Sequence, residues 1–243
     1  MTIDNKQRDE PLRAGVIGVG SMGQHHARIY KTHIGASLIG VADADESRAI
    51  EVAERHATRA FDVIDLLEAV DIASVAVPTP YHAKVVRQCI EHGVHVLVEK
   101  PYVEDLSVGE ELAELAAEQD VTIQVGHIER FNPAFMALDG IVDDLDILAI
   151  DAERLGPPLD REVRDNPVID LMIHDIDLLG TIVDSELVSL DAQGTTGNEY
   201  ATALFGFDSG VVATLTVSRV TQQKVRRLQI TAKSALVCRF WGS

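Results

Sequence analysis

The stretch "GVIGVGSMGQ", residues 15–24, decides how the beginning of the chain folds. It places Gly18, Gly20 and Gly23 in a G-x-G-x-x-G pattern between a β-branched run and a run with helical spacing. In a strand–turn–helix unit, the first glycine permits the tight turn and the second lets the backbone approach a pyrophosphate. The third lets helix and strand pack closely. A glycine turn in an unrelated α/β protein would show the same pattern, so the surroundings must decide.

The surroundings favour a dinucleotide. Asp43 follows Gly23 by 20 residues and ends the next apolar run, "SLIGVAD". A carboxylate at that place accepts both hydroxyls of an adenosine ribose and repels the 2′-phosphate of NADP, and Arg48 is the nearest cation that could offset it. With Ser21 and Met22 at the start of the predicted helix, the sequence predicts bound phosphates at the helix N-terminus and NAD as the cofactor.

The pattern of apolar residues predicts two domains. From Arg13 to about Gly126, short Val- and Ile-rich runs alternate with helical stretches, which is typical of a doubly wound α/β domain of the Rossmann type. Beyond Gly126, one helix near Pro133 and another over Val168–Val183 accompany several runs of period two, which indicate an α+β domain with a largely antiparallel open sheet. We therefore expect a dinucleotide-binding domain over residues 1–126 and a second domain over residues 127–243.

Residues just beyond the predicted strands "VAV" and "VLV" are candidates for the nicotinamide side, because open parallel sheets bind ligands at the carboxyl ends of their strands. These candidates are Pro78, Thr79, His82, Glu99 and Lys100. A lysine in such a loop is also commonly a solvated charge. In the second domain, Asp170 and His174 stand four residues apart on a predicted helix, where a carboxylate could orient a general base. An ordinary pair on a solvated helix face would have the same spacing.

Composition excludes several functional classes. The formal net charge of −18 over 243 residues would repel nucleic acids and anionic membranes, and no apolar run approaches the roughly 18 residues of a membrane span. The two cysteines suit a reducing cytoplasm, and the scarcity of lysine beside many acidic residues suits a halophilic source. His92 and His95 lie on either side of Gly93, so we expect no metal site.

The combination resembles the glucose-fructose oxidoreductase/inositol dehydrogenase (Gfo/Idh/MocA) family, through "GVIGVGSMG", "VPTPYH", "HVLVEKP", "GHIERFNP" and "DLMIHDID" in order. The resemblance implies an NAD- or NADP-dependent oxidoreductase of sugars or cyclitols that forms homo-oligomers through the open sheet. It implies that His174 accepts a hydroxyl proton, that Asp170 orients His174, and that Lys100 stabilises charge on the substrate oxygen.

The segment "VGHIERFNPA" resembles more narrowly a subgroup of UDP-N-acetylglucosamine 3-dehydrogenases, which implies that Arg130 and Asn132 meet the substrate. Alternatively, Asn132 caps the helix that Pro133 begins. An inositol or simple sugar dehydrogenase, or a regulator that binds a dinucleotide without turnover, remains an alternative function.

The end of the chain carries one more expectation. Family members usually continue beyond "ALVCRFWGS", so a truncation or frameshift is an open alternative here. A sheet that stops at this point leaves an unpaired edge or an uncovered apolar face beside Phe240 and Trp241. We therefore expect either a homo-oligomer built through this sheet or a second domain of low stability.

Overall fold

The computed structural model describes residues 10–138, 140–158, 166–233 and 235–240, the last range as backbone. The chain divides into two compact units between Gly126 and His127.

Within residues 10–126, the first unit contains six parallel strands and five α-helices. The order along the chain is β1 (Leu12–Ile17), α1 (Ser21–Thr32), β2 (Ala36–Ala42), α2 (Glu46–Arg55), β3 (Arg59–Ala60), α3 (Val63–Ala69), β4 (Ile72–Val75), a 3₁₀ helix (Thr79–Tyr81), α4 (His82–Glu91), β5 (His95–Val98), α5 (Leu106–Glu118) and β6 (Ile123–Val125). The strand order in the sheet is β3-β2-β1-β4-β5-β6. Strands β1 and β4 are neighbours although they are not consecutive, and ligands of doubly wound sheets bind beside such a switch in order.

Apolar residues on both faces of this sheet explain why it forms the centre of the unit. Val16, Val41, Val75 and Val98, one from each central strand, are completely buried. Strands covered on both faces need such continuous apolar runs, whereas a half-exposed strand would alternate. The helices supply the cover, and their starts are set locally: Asp45 and Asp105 accept backbone hydrogen bonds as N-caps of α2 and α5.

In the described part of the second unit there are six strands and two α-helices. It runs through a 3₁₀ helix (Ile128–Phe131), α6 (Pro133–Met136), a 3₁₀ turn (Val142–Asp144), β7 (Ile147–Leu155), a π-helical turn (Val168–Met172), α7 (Ile173–Ile182), β8 (Leu187–Gly194), β9 (Tyr200–Phe207), β10 (Val212–Ser218), β11 (Val225–Ala232) and β12 (Ala235–Phe240). The strand order is β12-β11-β7-β10-β9-β8. Strands β7 and β10 pair in parallel, and every other neighbouring pair is antiparallel.

One face of the second sheet packs against α7, and the other is open. Phe205 and Leu215 belong to a buried apolar cluster with Leu178 of α7. Along β9 buried residues alternate with exposed or half-buried ones, so that Leu204 points away from this cluster and is 50% exposed. This alternation is the period-two pattern from which the strands were predicted.

The predicted fold class is confirmed, with local differences. The two-residue strand β3 was not expected, because two residues carry no periodic signal. The helix predicted over Val168–Val183 is wrong at its beginning, where Val168–Met172 forms a π-helical turn. Trp241 and the side chain of Phe240 lie outside the described residues, so the expectation about their exposure stays a prediction.

Candidate active site

The glycine loop after β1 has the geometry that its spacing predicts. Gly18 has φ +85°, and a Cβ there would lie 2.6 Å from the backbone nitrogen of Val77. A Cβ on Gly23 would lie 1.8 Å from the carbonyl oxygen of Gly18. Both positions therefore require glycine for the packing of the chain itself. A Cβ on Gly20 would meet nothing within 4 Å, so the space above this backbone is open.

The start of α1 provides a place for phosphate. Gly20 is its N-cap and supplies no side-chain hydrogen bond, and no acidic residue occupies the first turn. Ser21 and Met22 are exposed. Helix N-termini carry partial positive charge and free N–H donors, so the loop and helix fit the pyrophosphate of a nicotinamide dinucleotide.

Asp43 lies beside this loop, at the end of β2. Its Oδ2 accepts a hydrogen bond from the backbone N–H of Val19 at 2.7 Å, and its Oδ1 accepts one from the N–H of Asp45 at 2.9 Å. Arg48 forms ion pairs with both carboxylates, at 3.3 Å to Asp43 and 3.2 Å to Asp45. Two backbone donors thus orient the Asp43 carboxylate, and its remaining lone pairs can accept ribose hydroxyls.

The ends of β4 and β5 carry the predicted nicotinamide-side residues. Pro78 is exposed, and Thr79 begins the 3₁₀ helix beyond β4. Glu99 and Lys100 follow β5 directly; Glu99 is buried and Lys100 is half-buried, and the peptide bond between Lys100 and Pro101 is cis. Because β4 and β5 are adjacent parallel strands, these two segments leave the sheet at the same edge.

His82 is the first residue of α4, and its side chain lies between the backbones of two loops. It is 1% exposed, and its Nδ1 and Nε2 lie 2.8 Å from the carbonyl oxygen of Pro101 and 2.9 Å from that of Val77. Both ring nitrogens are therefore directed at the backbone of the two loops. His82 connects these loops to each other and has no ring nitrogen left for a cofactor.

A chain of hydrogen-bonded polar side chains ends at Glu99, the residue before Lys100, and sequence reasoning missed it. His26 Nε2 is 2.8 Å from Glu99 Oε1, and His26 Nδ1 is 2.9 Å from Ser74 Oγ, which is also 2.9 Å from the Tyr30 hydroxyl. No motif in the sequence indicates these partners for His26. One signal was available: Ser74 is a polar residue in the apolar run "IASVAV" and is completely buried.

In the second unit, Asp170 has a partner that the spacing did not indicate. Its Oδ2 accepts a hydrogen bond from Arg219 Nη2 at 2.7 Å, across 49 residues of sequence. Asp170 lies in the π-helical turn and His174 in the first turn of α7. The i,i+4 geometry of a regular α-helix, from which their pairing was predicted, is therefore not the local geometry. The catalytic roles of both residues stay predictions.

Glu129 is a second residue that sequence reasoning missed. Arg154 donates to Glu129 at 3.1 Å and forms two hydrogen bonds with Asp175, at 2.8 and 3.1 Å. Burial alone would raise the pKa of Glu129, but the charge of Arg154, hydrogen bonds from Asn132 and Arg154, and the charge of His174 together lower it. Burial raises the pKa of Asp175 despite Arg154. Glu129 thus brings negative charge near His174.

The predicted substrate residues Arg130 and Asn132 are engaged within the second unit. Arg130 Nε donates to Asp177 at 2.8 Å. Asn132 Oδ1 accepts the N–H of Ala134 at 3.0 Å, and Pro133 is the first residue of α6. The capping geometry considered as the alternative is thus present, and substrate contacts by Arg130 and Asn132 stay predictions.

Within residues 10–138, 140–158, 166–233 and 235–240, no three His, Cys, Asp or Glu side chains are grouped so that they could hold a metal ion. None of the described helices combines the length and the apolar character that crossing a lipid bilayer requires.

The fold and the glycine loop define a protein with a dinucleotide-binding Rossmann domain joined to an α+β sheet domain. Residues 12–127 match the model of the "oxidoreductase family, NAD-binding Rossmann fold", and residues 151–236 match that of the "GFO/IDH/MocA C-terminal domain". The chain belongs to the Gfo/Idh/MocA oxidoreductase family. The resemblance that the motifs indicated is thereby confirmed, and with it the binding of a nicotinamide dinucleotide.

Relatives of the chain carry dehydrogenase names. It is 37% identical over 224 residues to the UDP-N-acetylglucosamine 3-dehydrogenase of Acidithiobacillus ferrooxidans. The matched region covers 90% of this chain and 71% of that protein. It is 27% identical over 190 residues to the inositol 2-dehydrogenase of Rhizobium meliloti, over 74% of this chain and 58% of that one. A solved structure of the Acidithiobacillus enzyme superposes with a TM-score of 0.88 at 36% identity, over 92% of this chain and 75% of that one. The chain is accordingly an oxidoreductase of the dehydrogenase type.

Proposed function

We propose that the protein is an NAD-dependent dehydrogenase that oxidises a hydroxyl of a nucleotide sugar, with the 3-hydroxyl of UDP-N-acetylglucosamine as the first candidate. The observation that carries the proposal is the 37% identity to a UDP-N-acetylglucosamine 3-dehydrogenase over 224 residues. The glycine loop, Asp43 and the Glu99–Lys100 segment support the cofactor half of the proposal. Two charged contacts support the catalytic half: Arg219 is hydrogen-bonded to Asp170, and the charge of His174 contributes to lowering the pKa of Glu129.

The cofactor would be held by residues of the first unit, and when bound it supplies an acceptor for the hydride of the oxidised carbon. Gly18, Gly20 and Gly23, with Ser21 and Met22 at the start of α1, would hold the pyrophosphate. Asp43 would bind the adenosine ribose, and Pro78, Thr79, Glu99 and Lys100 would lie toward the nicotinamide. His82 would act on the cofactor only through the backbone it supports.

Three side chains would carry out the proton chemistry. His174 would accept the proton of the substrate hydroxyl as a general base. Asp170, itself held by Arg219 at 2.7 Å, would orient the imidazole. Lys100 would stabilise the charge that develops on the oxygen, and such a role requires an ammonium group that is already in position.

NAD is proposed over NADP because of charge at the end of β2. The 2′-phosphate of NADP would meet the carboxylates of Asp43 and Asp45, and the guanidinium of Arg48 is already paired with both. Calorimetric titration of the purified protein with each cofactor tests this choice. NAD should bind more tightly, and equal or tighter binding of NADP would overturn it.

The substrate is tested by a panel of UDP-sugars, free sugars and inositols with NAD, followed at the absorbance of reduced nicotinamide. Activity with UDP-N-acetylglucosamine supports the proposal, and activity with inositol alone supports the alternative for which the Rhizobium relative stands. Binding of NAD without turnover of any compound would favour a dinucleotide-sensing regulator.

His174→Ala should abolish turnover and leave NAD binding intact, and Lys100→Ala should lower kcat at least about a hundredfold.

The open face of the second sheet is proposed as a homo-oligomer interface. Tyr200, Leu204 and Val212 are 40%, 50% and 47% exposed on this face. Between them lie Thr202 and Thr216, whose hydroxyls are 3.1 Å apart. The same face also carries charged residues, among them Asp191 beside Leu204 and Asp151 beside Thr214. A sheet surface with several exposed apolar residues is commonly covered by a partner.

Light scattering of the eluted protein tests the interface. The protein should be a dimer or larger, and Leu204→Lys should shift it toward the monomer. Ile34→Lys is the matched control, because Ile34 is 94% exposed on the first unit. A monomeric wild-type protein would contradict the proposal.

The acidic composition supports a further proposal about the cellular environment in which the protein works. A net charge of −18, with two cysteines in 243 residues, suits a cytoplasm of high salt. Thermal unfolding at increasing KCl concentration tests it. The unfolding temperature should continue to rise at KCl concentrations above those at which simple charge screening saturates.

A further inference from the structure

Four polar side chains form one connected chain inside the first unit. It runs from the Tyr30 hydroxyl to Ser74 Oγ, from there to the imidazole of His26, and ends at Glu99 Oε1, with successive distances of 2.9, 2.9 and 2.8 Å. Ser74 is completely buried and Glu99 is 8% exposed. Buried polar groups are costly unless they are hydrogen-bonded, so the four groups depend on one another.

The chemistry of the groups gives this chain a direction. Burial would raise the pKa of Glu99, but the hydrogen bond and charge of His26, with the backbone N–H and charge of Lys100, lower it. Glu99 is therefore an ionised acceptor, and Nε2 of His26 must donate to it. In the neutral imidazole Nδ1 then accepts from the Ser74 hydroxyl, which in turn accepts from Tyr30.

The backbone around Glu99 is restrained as well. The N–H of Glu99 donates to the carbonyl oxygen of Val75 at 2.9 Å, at the end of the neighbouring strand. A Cβ on Gly126 would lie 3.3 Å from the Glu99 carboxylate, so the carboxylate packs directly against the backbone of Gly126. Both the main chain and the side chain of Glu99 are thus held, and Lys100 is the next residue.

We propose that His26 and Glu99 form a positioning dyad, ordered by Ser74 and Tyr30, that holds the Glu99–Lys100 segment so that the Lys100 ammonium is in place for the reaction. His26 touches neither substrate nor cofactor in this role. The part played by Lys100 in catalysis rests on the proposed function. The restraint of Lys100 by the dyad does not.

The kinetic test compares His26→Asn, Glu99→Gln and the double variant, with His25→Asn as the matched control. His25 is the exposed neighbour of His26 on the same helix. Each single variant should lower kcat at least about tenfold, the scale of a lost hydrogen bond to a charged group. In His26→Asn, the KM for the nucleotide sugar and the affinity for NAD should change little, because His26 touches neither compound. The double variant should lose no more than the worse single variant, because the two residues act as a unit.

A second measurement needs no substrate. Acetic anhydride is applied to the protein, and the acetylation rate of Lys100 is compared by mass spectrometry with that of Lys84, which is exposed on α4. Loss of the dyad should change this ratio about threefold or more, the effect of one ordinary hydrogen bond, and His25→Asn should leave it unchanged. If His26→Asn does not fold, Tyr30→Phe replaces it, and the acetylation ratio should change in the same direction as in Glu99→Gln.

The two arms separate the possible failures. An unchanged Lys100 ratio in Glu99→Gln and His26→Asn, or additive kinetic losses that follow the loss of thermal stability, would overturn the dyad. Absence of turnover by the wild-type protein with every compound of the panel would overturn the proposed function, and the acetylation ratio would still decide the dyad.

Discussion

Replacing Gly20 or Gly23 by alanine should separate the two demands on the glycine loop: its own packing and the binding of a dinucleotide. A Cβ on Gly23 would lie 1.8 Å from the carbonyl oxygen of Gly18. To reach 3.0 Å, helix α1 and the loop must separate by about 1.2 Å. Overpacking a well-packed site commonly costs about 1–3 kcal/mol, and here the obstacle is backbone, so we expect Gly23→Ala to cost about 3 kcal/mol.

Gly20→Ala has no such obstacle, because nothing in the chain lies within 4 Å of the new Cβ. Its φ of −66° is accessible to alanine. Reduced freedom of the unfolded chain would stabilise by about 0.4–1 kcal/mol, and the poorer N-cap would offset a similar amount, so stability should stay within about 1 kcal/mol. The methyl group would occupy the space through which a pyrophosphate approaches, so the affinity for NAD should fall.

Thermal unfolding and calorimetric titration with NAD measure the two effects. At about 2–4 °C per kcal/mol for a chain of this size, Gly23→Ala should unfold about 6–12 °C below the wild type, while Gly20→Ala should unfold near it. Wild-type affinity for NAD in a folded Gly20→Ala protein would show that the pyrophosphate does not cross Gly20. An unchanged unfolding temperature of Gly23→Ala would refute the packing argument.

Three further outcomes are expected. Arg154→Leu should destabilise the second unit by about 3–5 kcal/mol, because it removes the cation that Asp175 and Glu129 share. The control Arg87→Leu, at the exposed ion pair with Glu111, should cost under about 1 kcal/mol. Equal losses of stability in denaturant unfolding would contradict this. The pKa of Glu129 is lowered from 4.5, so its ionisation stabilises the fold above that pH, and this stabilisation is lost as the pH falls further. In acid unfolding, the wild-type protein should therefore lose stability faster than Glu129→Gln. Parallel loss of stability in the two proteins would argue against this role of Glu129. Burial raises the pKa of the Cys89 thiol to about 12, so mass spectrometry should find Cys89 unmodified by a thiol reagent at pH 8 until the protein unfolds.

The sequence by itself determined the fold class and the geometry of the glycine loop, because both depend on local patterns. The change from helical spacing to period two after Gly126 follows from which faces each element must bury. The roles of Gly18 and Gly23 follow from a turn and a contact within six residues of each other. Asp43 stands at a strand end that its own run of apolar residues defines.

Tertiary structure alone decided which charged groups meet. Arg154 reaches Asp175 and Glu129 across 21 and 25 residues, and His26 reaches Glu99 across 73. No periodicity records such distances, because the contact depends on which strands become neighbours and on the burial that makes an unpaired charge costly. For the same reason, the sequence does not indicate the contacts of His82 with two backbone carbonyls or that of Asp170 with Arg219.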